Sequence, residues 1–507
     1  MGFVVAIDAG TTGVRALAVA EDGHIVLVSY RELTQHFPQP GWVEHDAAEI
    51  WLLVQETLAE LQAGLAAAHP GQSIAAIGIT NQRETAVAWD TNTGAPLHRA
   101  IVWQDRRTAR RCEELEAAGH LPLVRQRTGL VLDSYFSGTK WEWMLSHGGV
   151  AVNDRLALGT VDDWVCWKLT GGPAGGVHAT DVSNAARTMC FDIVAGRWSD
   201  ELCWLLGVPP RALGEVRASS GRFGTVSASA CGGALAGVPV SGIAGDQQAA
   251  LFGQCCFEPG DTKVTYGTGS FVLMNLGPDC PPPSEGLLTT AAWQVGDDFT
   301  YALEGAVFAS GSTIQWLRDG LGLITEASET GALAASIPTT DGVFIVPAFT
   351  GLGSPWWDPD ARGTIVGLTR GSGRAHLARA AVEAMSFQTR DVLDVMAAAA
   401  GRPVSLLRAD GGAAVMDLLL QLQADQAQAT VVRPATTEVT ALGAAMLAGL
   451  AEGVWSTLSE LRSLSPPAAA FEPVAGRPKA DADHARWLAA VDRSRRWASA
   501  GVRQSPG

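Results

Sequence analysis

No apolar run in this 507-residue chain reaches the roughly 18–20 residues that a membrane-spanning helix needs, so none is expected. Its eight cysteines form no CxxC pair and no zinc-ligand spacing, and the adjacent Cys255-Cys256 are awkward to bridge, so buried reduced thiols are the plain expectation. Positive charge is short: 36 Lys and Arg stand against 52 Asp and Glu, a net −16. With no basic stripe to offset that, no nucleic acid and no membrane surface is expected as a partner. There is no GxxxxGK[ST] loop, no GxGxxG opening a helix, no GxSxG and no HExxH. P-loop, dinucleotide-binding, serine-hydrolase and zinc-protease chemistry therefore have no footing. The ten histidines show no ligand spacing. The start, MGFVVAIDAG, meets Asp8 without a basic n-region, so it does not read as a signal peptide, and a cytoplasmic protein is expected.

What is there has the profile of a soluble globular protein, 47% hydrophobic and 17% charged, and long enough for two or more domains. Phe3–Ile7, Ala16–Ala20 and His24–Leu33 read as a meander of strands. Asp46 and Glu49 resemble a capping box for a helix whose apolar face is Ile50, Val54, Leu58, Leu61 and Leu65. Ile74–Thr80 is the next strand, and residues 136–240 say least. Val238, Val240 and Ile243 then lead into GDQQAALFG, a strand handing over to a helix at Asp246. After Gly253 the opening pattern returns, with strands at Thr262–Tyr266 and Phe271–Asn275 around a Gly-Thr turn. That repeat predicts two domains of related topology, 1–253 and 254–507. Helices are expected at Ala306–Leu321, His376–Ala400, Val415–Ala427, Thr440–Glu452 (with Gly453 as its stop) and Asp481–Ala498, and the last few residues should fray.

The chemistry-bearing groups are few. Asp8-Ala9-Gly10-Thr11-Thr12-Gly13 and Gly267-Thr268-Gly269-Ser270 are small-residue turns after strands, rich in N–H and hydroxyl donors that suit phosphate oxygens. Asp8 and Asp246 are carboxylates at strand ends, a pairing that suits a Mg²⁺ keeping several waters. Arg83-Glu84 sets a fork of donors beside an acceptor, as adjacent hydroxyls would require. Each has a plainer reading when taken singly: a tight hairpin, a helix N-cap, a surface ion pair.

Together these residues resemble the FGGY carbohydrate kinases, and within them the branch that phosphorylates glycerol. The resemblance spans nearly the whole chain: Asp8–Thr12 with Arg15, PGWVEHD (40–46), GITNQRET (78–85), WQDRR (103–107), DSYFSGTK (133–140), GIAGDQQAALFG (242–253), YGTG (266–269), Ala302–Phe308 and GLGSPWWDP (351–359). It implies an α/β fold of two actin-like, ribonuclease-H-like domains, each a mixed five-stranded sheet flanked by helices, with the active site in the interdomain cleft. It implies ATP:glycerol phosphotransfer giving sn-glycerol 3-phosphate, with ATP and Mg²⁺ as cofactors. Asp246 would be the base; Arg83, Glu84, Tyr135, Asp246 and Gln247 would hold hydroxyls, and Trp103 and Phe271 would wall the carbon backbone. Thr11, Thr12, Gly13, Arg15, Gly267 and Thr268 would face the phosphates, with Gly311, Gln315, Gly412, Ala413 and Met416 around the nucleotide and Asp8 with Asp246 at the metal. Relatives are often homodimers or homotetramers. Three departures stand out. Met416 replaces an amide near the adenine, Gly13 replaces a serine that contacts phosphate in some members, and the loop GGALAGV (232–238) lacks the arginine that binds fructose 1,6-bisphosphate in regulated relatives. The alternatives are an FGGY kinase for another small polyol or a ketose, and a non-catalytic actin-fold regulator that binds nucleotide.

Overall fold

The computed structural model describes residues 2–500, the side chains of the last two excepted; the tail expected to fray lies beyond them. Thirteen strands form its main sheet. In chain order they are β1 (Gly2–Ala9), β2 (Gly13–Val19), β3 (Ile25–Glu32), β4 (Ser73–Asn81), β5 (Ser220–Thr225), β6 (Pro239–Gly245) and β7 (Thr262–Tyr266). They continue as β8 (Ser270–Gly277), β9 (Leu288–Val295), β10 (Asp298–Val307), β11 (Leu406–Asp410), β12 (Thr430–Pro434) and β13 (Pro467–Phe471). The helices that bear on the site are α1 (Ala47–Ala68), α2 (Val182–Ala185), α3 (Asp246–Gly253), α4 (Gly311–Gln315), α5 (Arg374–Ala400), α6 (Asp417–Ala427) and α7 (Val439–Ala451).

Across the sheet the order is β13-β12-β11-β7-β8-β10-β9-β5-β6-β4-β1-β2-β3. It contains the same five-stranded block twice. In β3-β2-β1-β4-β6 the first three strands alternate in direction and the last two run parallel to β1. In β10-β8-β7-β11-β12 the same holds with β7 in the place of β1. The mixed five-stranded sheets expected from the resemblance are thus both present. Beyond expectation, the two blocks meet edge to edge through β5 and β9, which pair at the single register Ser220–Val295.

β1 buries Val4, Val5, Ala6 and Ile7 in succession, as a strand covered on both faces must. One cover is α1, whose Ile50, Val54, Leu58, Leu61 and Leu65 are all buried. Asp46 caps α1 by accepting from the Ala48 N–H (2.8 Å), but the capping box does not form. Glu49 instead accepts from the Thr34 N–H (3.1 Å) and hydroxyl (2.7 Å), tying the helix start to the chain leaving β3. The other cover comes from the far end of the sequence. α7 is buried nearly all round and packs with Val4, Ala6, Leu17, Ala76 and Ala244 of the first block. A helix apolar on every side requires such a position.

The helix expected over Ala306–Leu321 does not start until Gly311, because β10 runs on to Val307; Trp316–Gly320 then takes a π-helical turn. α5, α6 and α7 fall within two residues of expectation, and Gly453 has the positive φ (72°) of a helix stop. The terminal helix is Arg477–Ser494, followed by a short turn at Trp497–Ala500.

α3 and α7 touch backbone to backbone. A Cβ at Gly443 would lie 1.9 Å from the Ala249 carbonyl oxygen, and one at Gly253 would lie 2.0 Å from that of Val439. Gly443→Ala is expected to cost about 1–3 kcal/mol as the helices are forced apart. Thermal unfolding reads this as a lowered Tm; an unchanged Tm would contradict the contact.

Candidate active site

Parallel strands present their carboxyl ends on one edge, and ligands bind there in open α/β sheets. In the first block Asp8 pairs with Thr80, and Gly245 with Asn81, so Asp8, Arg83-Glu84 and Asp246 leave β1, β4 and β6 at one level. In the second block Thr265 pairs with Asp410, which sets Gly267-Thr268-Gly269 beside Gly411-Gly412-Ala413. Gly411 has φ 91°, and a Cβ there would lie 2.5 Å from the Tyr266 carbonyl oxygen, so only glycine allows these two turns to approach.

Four buried charges tie the halves together. Glu304 on β10 accepts from Arg83 Nη1 (2.5 Å), Arg83 Nη2 (3.2 Å) and Arg187 Nη2 (2.8 Å). Glu84 accepts from Arg187 Nε (2.6 Å) and lies 3.6 Å from Arg83 Nε. Burial raises both carboxyls, but the two arginines outweigh it at Glu304 and hold that group at about 2, whereas burial prevails at Glu84. The difference follows from geometry: Glu304 receives close donors from both guanidiniums and Glu84 from one.

Around this cluster, Arg83 donates to the Tyr135 hydroxyl (3.1 Å) and to Gln248 Oε1 (3.2 Å), and its Nε lies 3.3 Å from Asp246. Glu84 has φ 60°, with the Thr85 N–H closed onto the Arg83 carbonyl (2.8 Å). A left-handed glutamate costs roughly 1–3 kcal/mol and is held only by its surroundings. Asp246 is the first residue of α3 and does not cap it; its carboxylate accepts from the adjacent Gln247 N–H (2.7 Å). Burial raises the Asp246 pKa, with Arg83 and Lys263 pulling the other way. Lys263 reaches from β7 to Gln247 Oε1 (2.5 Å). Trp103 donates to the Thr11 hydroxyl (2.9 Å) and meets the Tyr135 ring edge-on at 5.7 Å, while Phe271 faces the Arg83 guanidinium at 6.0 Å. Among the described residues, Glu84 Oε2, Asp246 Oδ2 and Gln247 Nε2 have no hydrogen-bond partner. Acceptors and a donor are thus left for a polyhydroxylic ligand.

The second turn is bonded to α4: the Gly311 N–H donates to the Gly267 carbonyl (2.9 Å) and the Ser312 N–H to that of Thr268 (3.0 Å). Nearby, the buried hydroxyls of Ser270, Ser310, Ser312 and Thr313 have no protein partner. Buried hydroxyls are normally paired, so four orphans beside one glycine turn fit an oxygen-rich ligand such as a polyphosphate. In the first turn Gly13 is buried, Thr12 is exposed, and Arg15 is already paired with Glu438 (2.5 Å). Gln315 is exposed, and Met416 packs near Gly331 beside the start of α6, with its N–H donated to the Ala413 carbonyl (3.1 Å).

Two family models match the chain: the N-terminal domain of the FGGY family of carbohydrate kinases over residues 3–253, and its C-terminal domain over 262–452. The chain belongs to the FGGY family. The glycerol kinase of Dechloromonas aromatica is 53% identical over 98% of both chains, and that of Carboxydothermus hydrogenoformans 51% over 98% of both. Among solved structures, Plasmodium falciparum glycerol kinase with ADP superimposes with a TM-score of 0.91 at 32% identity, covering 97% of this chain and 98% of that one. A xylulose kinase from Rhodospirillum rubrum has a TM-score of 0.83 at 25% identity, covering 96% and 97%.

Sequence reasoning about this FGGY kinase missed Glu304, Arg187, Gln248 and Lys263. Glu304 carried a signal: it is the one charge within the apolar run Tyr301–Val307. Arg187 carried none. Its neighbourhood matters nonetheless, since the Ser183 hydroxyl accepts from the Gly245 N–H (2.9 Å) and so fixes the residue before Asp246.

Glu304→Gln should destabilise the fold by about 3–5 kcal/mol, since it strands two buried guanidiniums. A carboxyl depressed to about 2 contributes stability that is full above its unfolded value near 4.5 and is lost as pH falls through 2. The gap between wild type and variant in chemical denaturation should therefore be constant from pH 7 to 5 and narrow below. A gap that widens in acid would contradict the assignment.

Proposed function

We propose that the protein transfers the terminal phosphoryl group of ATP to glycerol, giving sn-glycerol 3-phosphate and ADP. The observation that carries this reading is identity above half, end to end, with named glycerol kinases, against a quarter with a xylulose kinase. The acceptor side falls to residues 1–253 and the nucleotide side to 254–507, with the reaction in the cleft between.

Glycerol's hydroxyls lie against Arg83, Glu84, Tyr135, Asp246 and Gln247, with Trp103 and Phe271 against its carbons. Asp246 orients the attacking hydroxyl. As the new O–P bond forms and the bond from the terminal phosphorus to the bridging oxygen breaks, the hydroxyl proton passes to the carboxylate and ADP leaves with the bridging oxygen. Such transfer runs through a loose transition state, so positioning and charge neutralisation dominate. A carboxyl raised by burial is also a better base than a solvated one near ~4. The turns at 10–13 and 267–269 supply N–H and hydroxyl donors to the phosphates.

Mg²⁺ fits the donor set. Burial, Arg15 notwithstanding, pushes the Asp8 carboxyl up to about 7, and Asp246 adds to that rise. Asp8 and Asp246 would hold the ion. When bound, it neutralises phosphate charge.

Asp246→Asn should lower kcat at least ten-fold while leaving ATP binding within two-fold, since it removes the base and not the phosphate turns. A coupled assay for ADP release with and without glycerol reads this. Turnover above a tenth of wild type would remove Asp246 as base, and a better kcat/KM for another polyol would remove glycerol as the acceptor.

The loop at 232–238 carries no cation, so a sugar bisphosphate has no charged partner there. Fructose 1,6-bisphosphate is therefore expected to inhibit weakly or not at all. Inhibition at sub-millimolar concentration would contradict this.

A further inference from the structure

Three side chains line up across the first block. Asp8 on β1 stands directly opposite Arg15 on β2, and Arg15 directly opposite Tyr30 on the edge strand β3. Opposite residues in antiparallel strands share a face and interact side by side. The Arg15 guanidinium lies over the Tyr30 ring, 5.4 Å from its centroid, and is paired with Glu438 at the start of α7. The hydroxyl of Tyr30, a residue 40% exposed, donates to the Thr12 carbonyl (3.3 Å). That carbonyl also accepts from the Leu33 N–H (2.9 Å). Gly13 makes room for this: a Cβ there would lie 2.5 Å from both Cε2 and the hydroxyl oxygen of Tyr30.

We propose that Tyr30 is a positioning residue for the nucleotide's phosphates: its ring carries Arg15, and its hydroxyl pins the Thr11–Gly13 turn. The inference rests on the ATP half of the proposed reaction. The turn lacks a side chain at 13 to stiffen it or to reach a phosphate, and Tyr30 fills that place from the neighbouring strand. Its face supplies the electron-rich surface on which a guanidinium rests without being neutralised. Arg15 is thus held between the ring and Glu438, which takes its Nη1, while its Nε and Nη2 have no hydrogen-bond partner among the described residues and are left for an anion. Tyr30 touches none of the residues around Arg83 directly, and its one route to them runs through Thr11, whose hydroxyl accepts from Trp103 (2.9 Å), so the larger effect falls on the nucleotide.

Tyr30 sits at the surface of an edge strand, so its variants are expected to fold. Tyr30→Ala should raise the Kd for the Mg²⁺ complex of a non-hydrolysable ATP analogue, by calorimetry, and the KM for ATP by about five- to ten-fold, with kcat and the glycerol KM within two-fold. Tyr30→Phe keeps the ring and should cost about two-fold. In an Arg15→Ala background, Tyr30→Ala should add less than two-fold, because the ring then has nothing to carry. A purely structural role would instead lower Tm and disturb both KM values alike. Analogue affinity unchanged in Tyr30→Ala, or the same loss with and without Arg15, overturns the inference and leaves the proposed function standing. Failure of the wild type to bind the analogue overturns both. Analogue binding lost as expected, without glycerol-dependent ADP release in wild type, supports the inference and overturns only the choice of acceptor.

Discussion

The carboxylate of Glu304, gripped by Arg83 and Arg187, is the contact on which both the joining of the halves and the shape of the cleft depend. A buried ion pair is not by itself a source of stability, because desolvating the charges offsets most of their attraction. What it provides here is position. Arg83 has its forked end committed to Glu304, Tyr135 and Gln248, which leaves its Nε facing Asp246. Arg187 likewise commits Glu84 through one oxygen and leaves the other open. One glutamate from the second block thereby fixes the orientation of Arg83 and, through Arg187, of Glu84 in the first.

The rest of the interface follows the same pattern of exchange. α7 comes from the end of the chain yet fills the first block's core, and it meets α3, the helix begun by Asp246, at bare backbone. Lys263 of β7 holds Gln247 of α3. By contrast, no hydrogen bond among the described residues joins the turn at 10–13 to the turn at 267–269. The halves are thus tied below the cleft and by the Arg15–Glu438 pair, while the two turns are not bonded to each other. That is the arrangement a site needs if it is to shut water away from a reactive phosphate and then release product.

Much of this was legible in the chain because it is written locally. Strand, glycine-threonine turn, strand is a short-range pattern, and it located β1–β2 and β7–β8 to within a few residues. The hand-over at Gly245-Asp246 was equally local. Glu49 was misjudged because Thr34, its actual partner, lies in the chain leaving β3, whose position depends on the sheet. Glu304 and Arg187 are the extreme case: Arg83 lies 221 residues from Glu304, and Arg187 lies 117 from it. No periodicity reports a pairing at that separation. Gly13 shows the reverse. Its departure from the family pattern was visible at once, but the tyrosine that occupies its space comes from a neighbouring strand and emerges only with the register of β2 on β3.

The double role proposed for Asp246, guide and base, is consistent with where β6 ends. A solvated carboxylate is far too weak to deprotonate an alcohol, yet a loose transition state asks for little deprotonation until the phosphoryl group has nearly arrived. What the proposed reaction needs earlier is an acceptor aimed at the hydroxyl, and the start of α3 offers a carboxylate on a backbone fixed by Ser183 and by the register of β6 on β4. Burial then raises the proton affinity of the same group, while Arg83 and Lys263 keep that rise in check. Without the two cations that rise would be larger. Were burial absent, it would have little affinity for the proton when it came. The fold sets the balance by placing the residue at the junction of strand and helix, with one cation from each half beside it.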